Sequence, residues 1–154
     1  MIEGNKIIIE EDNIKVIQGD FFSSRCHFLV NPVNCMGEKN SYLSVKFDDD
    51  FPVMAEKYKS ICLNKTLKVG RLCIVNEKDK NKCILIFPIT HHWMHAGSLG
   101  TLELGLEKFI NTYKERRIDS IAFPLSGFGA DKKKALHLMF FYLKGISVRV
   151  EIYV

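Results

Sequence analysis

Cys83, Ile84, Leu85, Ile86 and Phe87 follow one another without a polar break, between a charged stretch ending at Lys82 and the ring of Pro88. A half-exposed strand alternates apolar with polar residues. A strand with no alternation has to be covered on both faces. This run therefore asks for a sheet sandwiched between other elements. Further short runs read as strands at residues 6–10, 14–18, 27–31, 70–75, 120–123 and 147–154. Helical spacing fills several of the intervals between them. Residues 41–47 read as a short helix. Asp50 reads as the N-cap of a helix with Pro52 in its first turn and Met54, Tyr58, Ile61 and Cys62 on one face. Thr101 reads as the cap of a helix whose face is Leu102, Leu106, Phe109, Ile110 and Tyr113, with Arg116 and Arg117 at its end. Leu136, Met139, Phe140 and Leu143 mark a last helix, with Gly145 just past it. Strands alternating with helices imply an α/β sandwich built on a mixed central β-sheet, with residues 1–154 as one domain.

The formal charge of +4 favours anionic partners weakly and does not specify a nucleic-acid binder. The cysteines Cys26, Cys35, Cys62, Cys73 and Cys83 are odd in number and form no CxxC pair. That usage fits neither a disulfide framework nor a zinc ribbon, and points to a reducing, cytoplasmic setting. The start, Met1-Ile2-Glu3-Gly4-Asn5, lacks a basic region followed by an apolar run, so no signal peptide is expected. No stretch approaches the ~20 apolar residues of a membrane span. No membrane partner is expected, and the chain is expected to be a monomer.

Chemistry-bearing residues collect where strands end. The run at 14–18 ends in Gly19-Asp20-Phe21, and the run at 27–31 enters Asn31-Pro32-Val33-Asn34-Cys35-Met36-Gly37. In open α/β sheets, ligands sit beyond the carboxyl ends of strands. Asp20 can accept hydrogen bonds from an exocyclic amine, or can cap the segment that follows it. Asn34 can bind a pair of sugar hydroxyls, or, with Asn31, can tie down a loop. Gly37 admits a close backbone approach. Ser126-Gly127-Phe128-Gly129 follows a strand and precedes a helix, where exposed N–H groups form an anion nest; a simple strand-to-helix turn needs no ligand. Lys132, Lys133 and Lys134 come next, as a diphosphate-facing or a solvated charge run. In His91-His92-Trp93-Met94-His95 no acidic or Cys ligand completes a metal set, and no metal is expected. Trp93 is the only tryptophan and could anchor the rim or stack on a base.

Taken in order, Gly19-Asp20, Asn31-x-x-Asn34, Phe87-Pro88 with His92-Trp93, and the glycine loop after Phe123-Pro124 resemble the macrodomain family. Within it, the chain is most similar to the branch of DNA ADP-ribosyl glycohydrolase antitoxins, from about Ile14 to the last helix. The resemblance implies a three-layer α/β/α fold with an ADP-ribose cleft at the strand ends. It implies Asp20 at the adenine amine, Asn34 by the distal ribose, and Gly127, Phe128 and Gly129 along the diphosphate and distal ribose. The chain departs from the branch at two named positions, and its second loop also looks shorter and less glycine-rich than the family's. Asn40-Ser41-Tyr42 stands where Gly-Lys-Gly is usual, so Tyr42 reshapes that wall. Thr90 stands where the branch's hydrolases carry a reactive lysine, and a threonine cannot form the covalent adduct or donate a proton as an ammonium does. The expected function is recognition of ADP-ribose, or of an NAD-derived nucleotide containing it, without efficient turnover and with no cofactor. The alternatives are a divergent hydrolase acting on ADP-ribosylated DNA or protein, with His91 or His92 as acid or base, and a nucleic-acid-binding or structural relic.

Overall fold

The computed structural model describes residues 4–154; residues 1–3, part of the start read as lacking a signal peptide, lie outside the described residues. One seven-stranded sheet runs through the molecule in the order β1-β2-β7-β6-β3-β5-β4. The strands are β1 (Lys6–Glu11), β2 (Ile14–Gln18), β3 (Phe28–Asn34), β4 (Cys73–Glu77), β5 (Lys82–Thr90), β6 (Ser120–Pro124) and β7 (Arg149–Tyr153). The five from β2 to β5 run parallel, while β1 and β4 close the edges antiparallel. The helices are α1 (Tyr42–Asp50), α2 (Pro52–Leu63), α3 (Leu99–Thr112) and α4 (Lys132–Leu143).

Alternation along β3 and β5 divides the core between the two faces. Leu29, Val33, Ile84 and Ile86 pack with Phe47, Phe51, Met54 and Tyr58 from α1 and α2. Val30, Leu85 and Phe87 pack with Leu102, Leu106, Phe109, Ala135 and Met139 from α3 and α4. This is the covering of both faces that the unbroken apolar run requires, and the fold is an α/β sandwich on a mixed sheet.

Several boundaries differ from the sequence expectation for local reasons. β3 does not stop at Asn31 but continues through Pro32 to Asn34. It pairs with β6 only at Phe28 and Leu29, so the missing N–H of Pro32 lies beyond that ladder. Likewise β5 passes Pro88, because its pairing with β4 ends at Ile86. Asp50 ends α1 and pairs with Lys46 at 2.9 Å instead of capping α2. The N-cap of α2 is Phe51, and buried Glu77 at the end of β4 accepts from the N–H of Met54 at 2.9 Å and Val53 at 3.2 Å. Ser98 caps α3, with Thr101 as the reciprocal partner of its capping box. That helix ends at Thr112, so Arg116 and Arg117 lie past its last turn.

Candidate functional site

β3 sits between β6 and β5, and all three are parallel, so their carboxyl ends open on the same side. The chain leaves β3 and β5 toward opposite sheet faces, since α1 and α2 pack on one face and α3 on the other. Such a divergence leaves a crevice at the strand ends. A cleft of about 590 Å³ lies there, lined among others by Asn34, Glu38, Tyr42, Thr90, Trp93, His95, Ser126, Gly127 and Gly129.

A register shift begins the cleft. Val33 pairs with Pro88 but Asn34 pairs with Thr90, leaving Ile89 as an extra residue. Bulges of this kind re-aim side chains at strand ends. The backbone N–H of Cys35 still donates to the Thr90 carbonyl at 3.1 Å. Beyond it, the Asn34 amide organises its own loop. Its Oδ1 accepts from the N–H of Met36 at 3.0 Å and Glu38 at 3.2 Å, and its Nδ2 donates to the Glu38 carbonyl at 2.9 Å. From α2, the Tyr58 hydroxyl donates to the Asn34 carbonyl at 2.7 Å. Burial holds the Tyr58 phenol well above its ordinary pKa, which keeps it a neutral donor.

The opposite wall is equally fixed. Thr90 Oγ1 donates to the His92 carbonyl at 3.2 Å, and His92 Nδ1 accepts from the Met94 N–H at 3.0 Å. Asn40 reaches across to donate to the Trp93 carbonyl at 3.2 Å, joining the two loops. At the far end, a Cβ on Gly97 would come 2.2 Å from the Phe128 carbonyl oxygen. Gly129 has φ +69°, and its Cβ would lie 2.7 Å from the Gly97 nitrogen. Only glycines let these two loops touch. The N-termini of α3, capped by Ser98, and of α4, capped by Asp131, directly follow the two loops. Helix N-termini favour negative charge.

Of the candidate residues, the structure brings Asn34, Tyr42, Thr90, Ser126, Gly127 and Gly129 into this cleft. The others lie outside its lining. Asp20, with Gly19, sits at the end of β2. Its Oδ1 accepts from the Phe22 N–H at 3.0 Å, the capping arrangement, and Phe21 is buried against Phe47 and Tyr153. Asn31 points into the core, where its Nδ2 meets Met54 Sδ at 3.5 Å and its Oδ1 has no partner. Phe128 is fully buried, edge-on to Phe87 at 5.3 Å. Gly37 adopts φ +79° beside Cys62. Burial raises the thiol pKa of Cys35, and that of Cys62 to about 11. His91 is exposed, and His92 stacks on Trp93 at 5.9 Å. Sequence reasoning missed Glu38, Tyr58, Gly97 and His95 as cleft residues. In the sequence, His95 is marked only as the last member of the histidine cluster His91-His92-Trp93-Met94-His95. Nothing in the sequence marks Tyr58, an ordinary helix-face residue. Among the described residues no lysine or arginine lines the cleft, and its titratable side chains are Glu38, Tyr42, Tyr58 and His95.

The model of the family described as the macro domain matches residues 30–139, which contain the bulged strand end, both facing loops and the glycine turn. The chain belongs to the macro domain family. Among relatives of this macro domain, a DNA ADP-ribosyl glycohydrolase of Mycobacterium tuberculosis is 30% identical over 113 residues, 72% of this chain and 32% of that protein. The chain spans between 32% and 44% of the length of the curated relatives it matches. Thermosipho africanus DarTG in complex with ADP-ribose superposes with a TM-score of 0.88 at 25% identity, over 96% of this chain and 43% of that one. The macrodomain of Mycobacterium tuberculosis DarG gives a TM-score of 0.81 at 27% identity, over 91% of this macro domain and 96% of that chain.

Proposed function

We propose that the cleft binds ADP-ribose, or a nucleotide containing it, and recognises this group without efficient turnover. One observation carries the reading. The cleft pairs a glycine-built end beside two helix N-termini, suited to a diphosphate, with a lining that, among the described residues, has no lysine or arginine. Anion recognition by backbone N–H groups needs no cation. Proton transfer by an ammonium does need one, and Thr90, its hydroxyl already donated to His92, offers none. Asp20, at the carboxyl end of β2, is proposed to use Oδ2 for the adenine amine, since Oδ1 holds the Phe22 N–H. The Asn34 carboxamide serves the distal ribose by shaping its loop, because its oxygen already accepts from that loop's N–H groups. The ADP-ribose complex of the Thermosipho relative supports the ligand class. Calorimetry with ADP-ribose tests it: the expected result is saturable binding, and a folded protein giving no heat at millimolar ligand discards the proposal.

A second reading is favoured by Glu38 and His95, which line the same cleft. A carboxylate and an imidazole can share general acid–base work. Relatives are named DNA ADP-ribosyl glycohydrolases, which makes ADP-ribosylated DNA the first substrate to try. Release of ADP-ribose from such DNA at enzyme excess, lost in Glu38→Gln and in His95→Ala, supports hydrolysis; intact substrate removes it. His91 and His92 are not assigned this role, since neither lines the cleft.

A further inference from the structure

Two large aromatic side chains flank the mouth of the cleft. Tyr42, in the first turn of α1, is 78% exposed, and Trp93, in the loop after β5, is 43% exposed. Both line the same cavity. Rings of this size are ordinarily withdrawn from water, and paired exposure at a cavity mouth marks a contact surface. Their backbones are held in place. Tyr42 follows Ser41, whose hydroxyl accepts from the Ser44 N–H at 3.1 Å in a reciprocal capping box. The Asn40 amide fastens the same loop to the Trp93 carbonyl. Behind Trp93, the His92 ring stacks at an interplanar angle of 24°, bracing the indole from that side. An exposed aromatic pair on fixed backbones is matched by a flat, apolar-faced group, and nucleobases have that shape whatever their sequence.

We propose that Tyr42 and Trp93 form a stacking jaw for a nucleobase that carries the ADP-ribosyl group, so that Tyr42 is a specificity-determining residue. This rests on the reading that the cleft holds ADP-ribose. In this proposal the group attached to ADP-ribose leaves the cleft between Tyr42 and Trp93, which both line it. A serine, lysine, aspartate or glutamate side chain carrying the ADP-ribosyl group offers no extended π-face to either ring, whereas a base offers two.

The test compares three probes on the whole chain: free ADP-ribose, a single-stranded oligonucleotide with one ADP-ribosylated base, and a peptide with one ADP-ribosylated side chain. Calorimetry gives the affinities. Trp93, the only tryptophan, reports stacking by fluorescence. The base-linked probe is expected to bind about tenfold tighter than free ADP-ribose, the scale of one stacked base, and to quench Trp93. Tyr42→Phe keeps that ratio, while Tyr42→Ala and Trp93→Ala bring it toward one. Circular dichroism melting confirms that these surface variants fold. A ratio of one in the natural chain, an equal gain with the peptide probe, or a ratio unchanged in Tyr42→Ala overturns the jaw while leaving ADP-ribose recognition standing. Absence of binding by all three probes instead removes the ADP-ribose reading, and the jaw with it.

Discussion

Tyr58 donates its hydroxyl proton to the Asn34 carbonyl across 2.7 Å, and through this bond helix α2 holds the strand end that walls the cleft. Phenylalanine at position 58 keeps the packing but leaves a buried carbonyl without that donor, at a penalty of about 1–3 kcal/mol. Tyr58→Phe is expected to lower the unfolding free energy by that amount and to weaken ADP-ribose binding, because the loop ordered by Asn34 loses its anchor. Paired urea titrations and calorimetry check this. Natural stability in the variant shows that the bond does not hold the loop.

Gly97 and Gly127 both border the cleft, yet alanine should affect them unequally. At Gly97 the new methyl meets a backbone oxygen at 2.2 Å, so one of the two touching loops has to move. At Gly127 it meets the Leu43 Cδ2 and Pro32 Cγ atoms, each at 2.7 Å. Leu43 is only partly buried and can turn away, while the Pro32 ring yields less. Gly97→Ala is therefore expected to lose about 2–3 kcal/mol, within the range for overpacking, with Gly127→Ala losing visibly less. Thermal melts of the two variants decide it, and equal losses contradict the contrast.

Much of this fold was legible because its signals are local. The unbroken run at Cys83–Phe87 called for two covered faces, and it lies between cores contributed by α1 and α2 on one side and by α3 and α4 on the other. The boundaries were less legible, because they depend on residues distant in sequence. Asp50 looked like a cap, but the groups that satisfy α2 come from Glu77, more than twenty residues on. Pro32 and Pro88 looked like strand ends because a proline cannot join a ladder on both sides. Where each neighbouring strand stops is a tertiary fact, and that is what admits them. The cleft divided in the same way. The glycine turn and Asn34 stood out through residue type, whereas Glu38, Tyr58 and His95 became visible only once the loops were in place.

Asn31 illustrates the difference between a polar residue and a site residue. It is 2% exposed, and its Oδ1 has no partner, the sole such buried side-chain atom among the described residues. Its amide faces Met54 in an apolar layer. Replacing both unsatisfied and weakly satisfied groups with carbon removes a desolvation penalty. Asn31→Leu is expected to gain about 1 kcal/mol in chemical denaturation while ADP-ribose affinity stays within twofold. A large loss of affinity with intact stability assigns Asn31 to the ligand instead.

Buried thiols are expected to contribute to a loss of stability at alkaline pH. Burial pushes the Cys26 thiol from 9.0 to about 11, and Cys62 moves in the same direction to about 11. Below pH 9 both folded and unfolded chains keep these protons. Between pH 9 and 11 the unfolded thiols ionise first, so the folded state binds more protons and stability falls as pH rises. Burial also raises the phenols of Tyr58 and Tyr153, which act with the same sign above pH 10, their ordinary value. Lys82 opposes them, since burial lowers its pKa and the folded chain sheds that proton first. A two-unit shift at Cys26 corresponds to about 2–3 kcal/mol between the ends of the window. Cys62 is only partly buried and contributes less. Cys26→Ala is therefore expected to be less stable than the natural chain at pH 8, through its lost packing, and to show a shallower fall by pH 10.5. Melting temperatures at the two pH values measure both terms, and parallel curves for the two proteins remove Cys26 from the account.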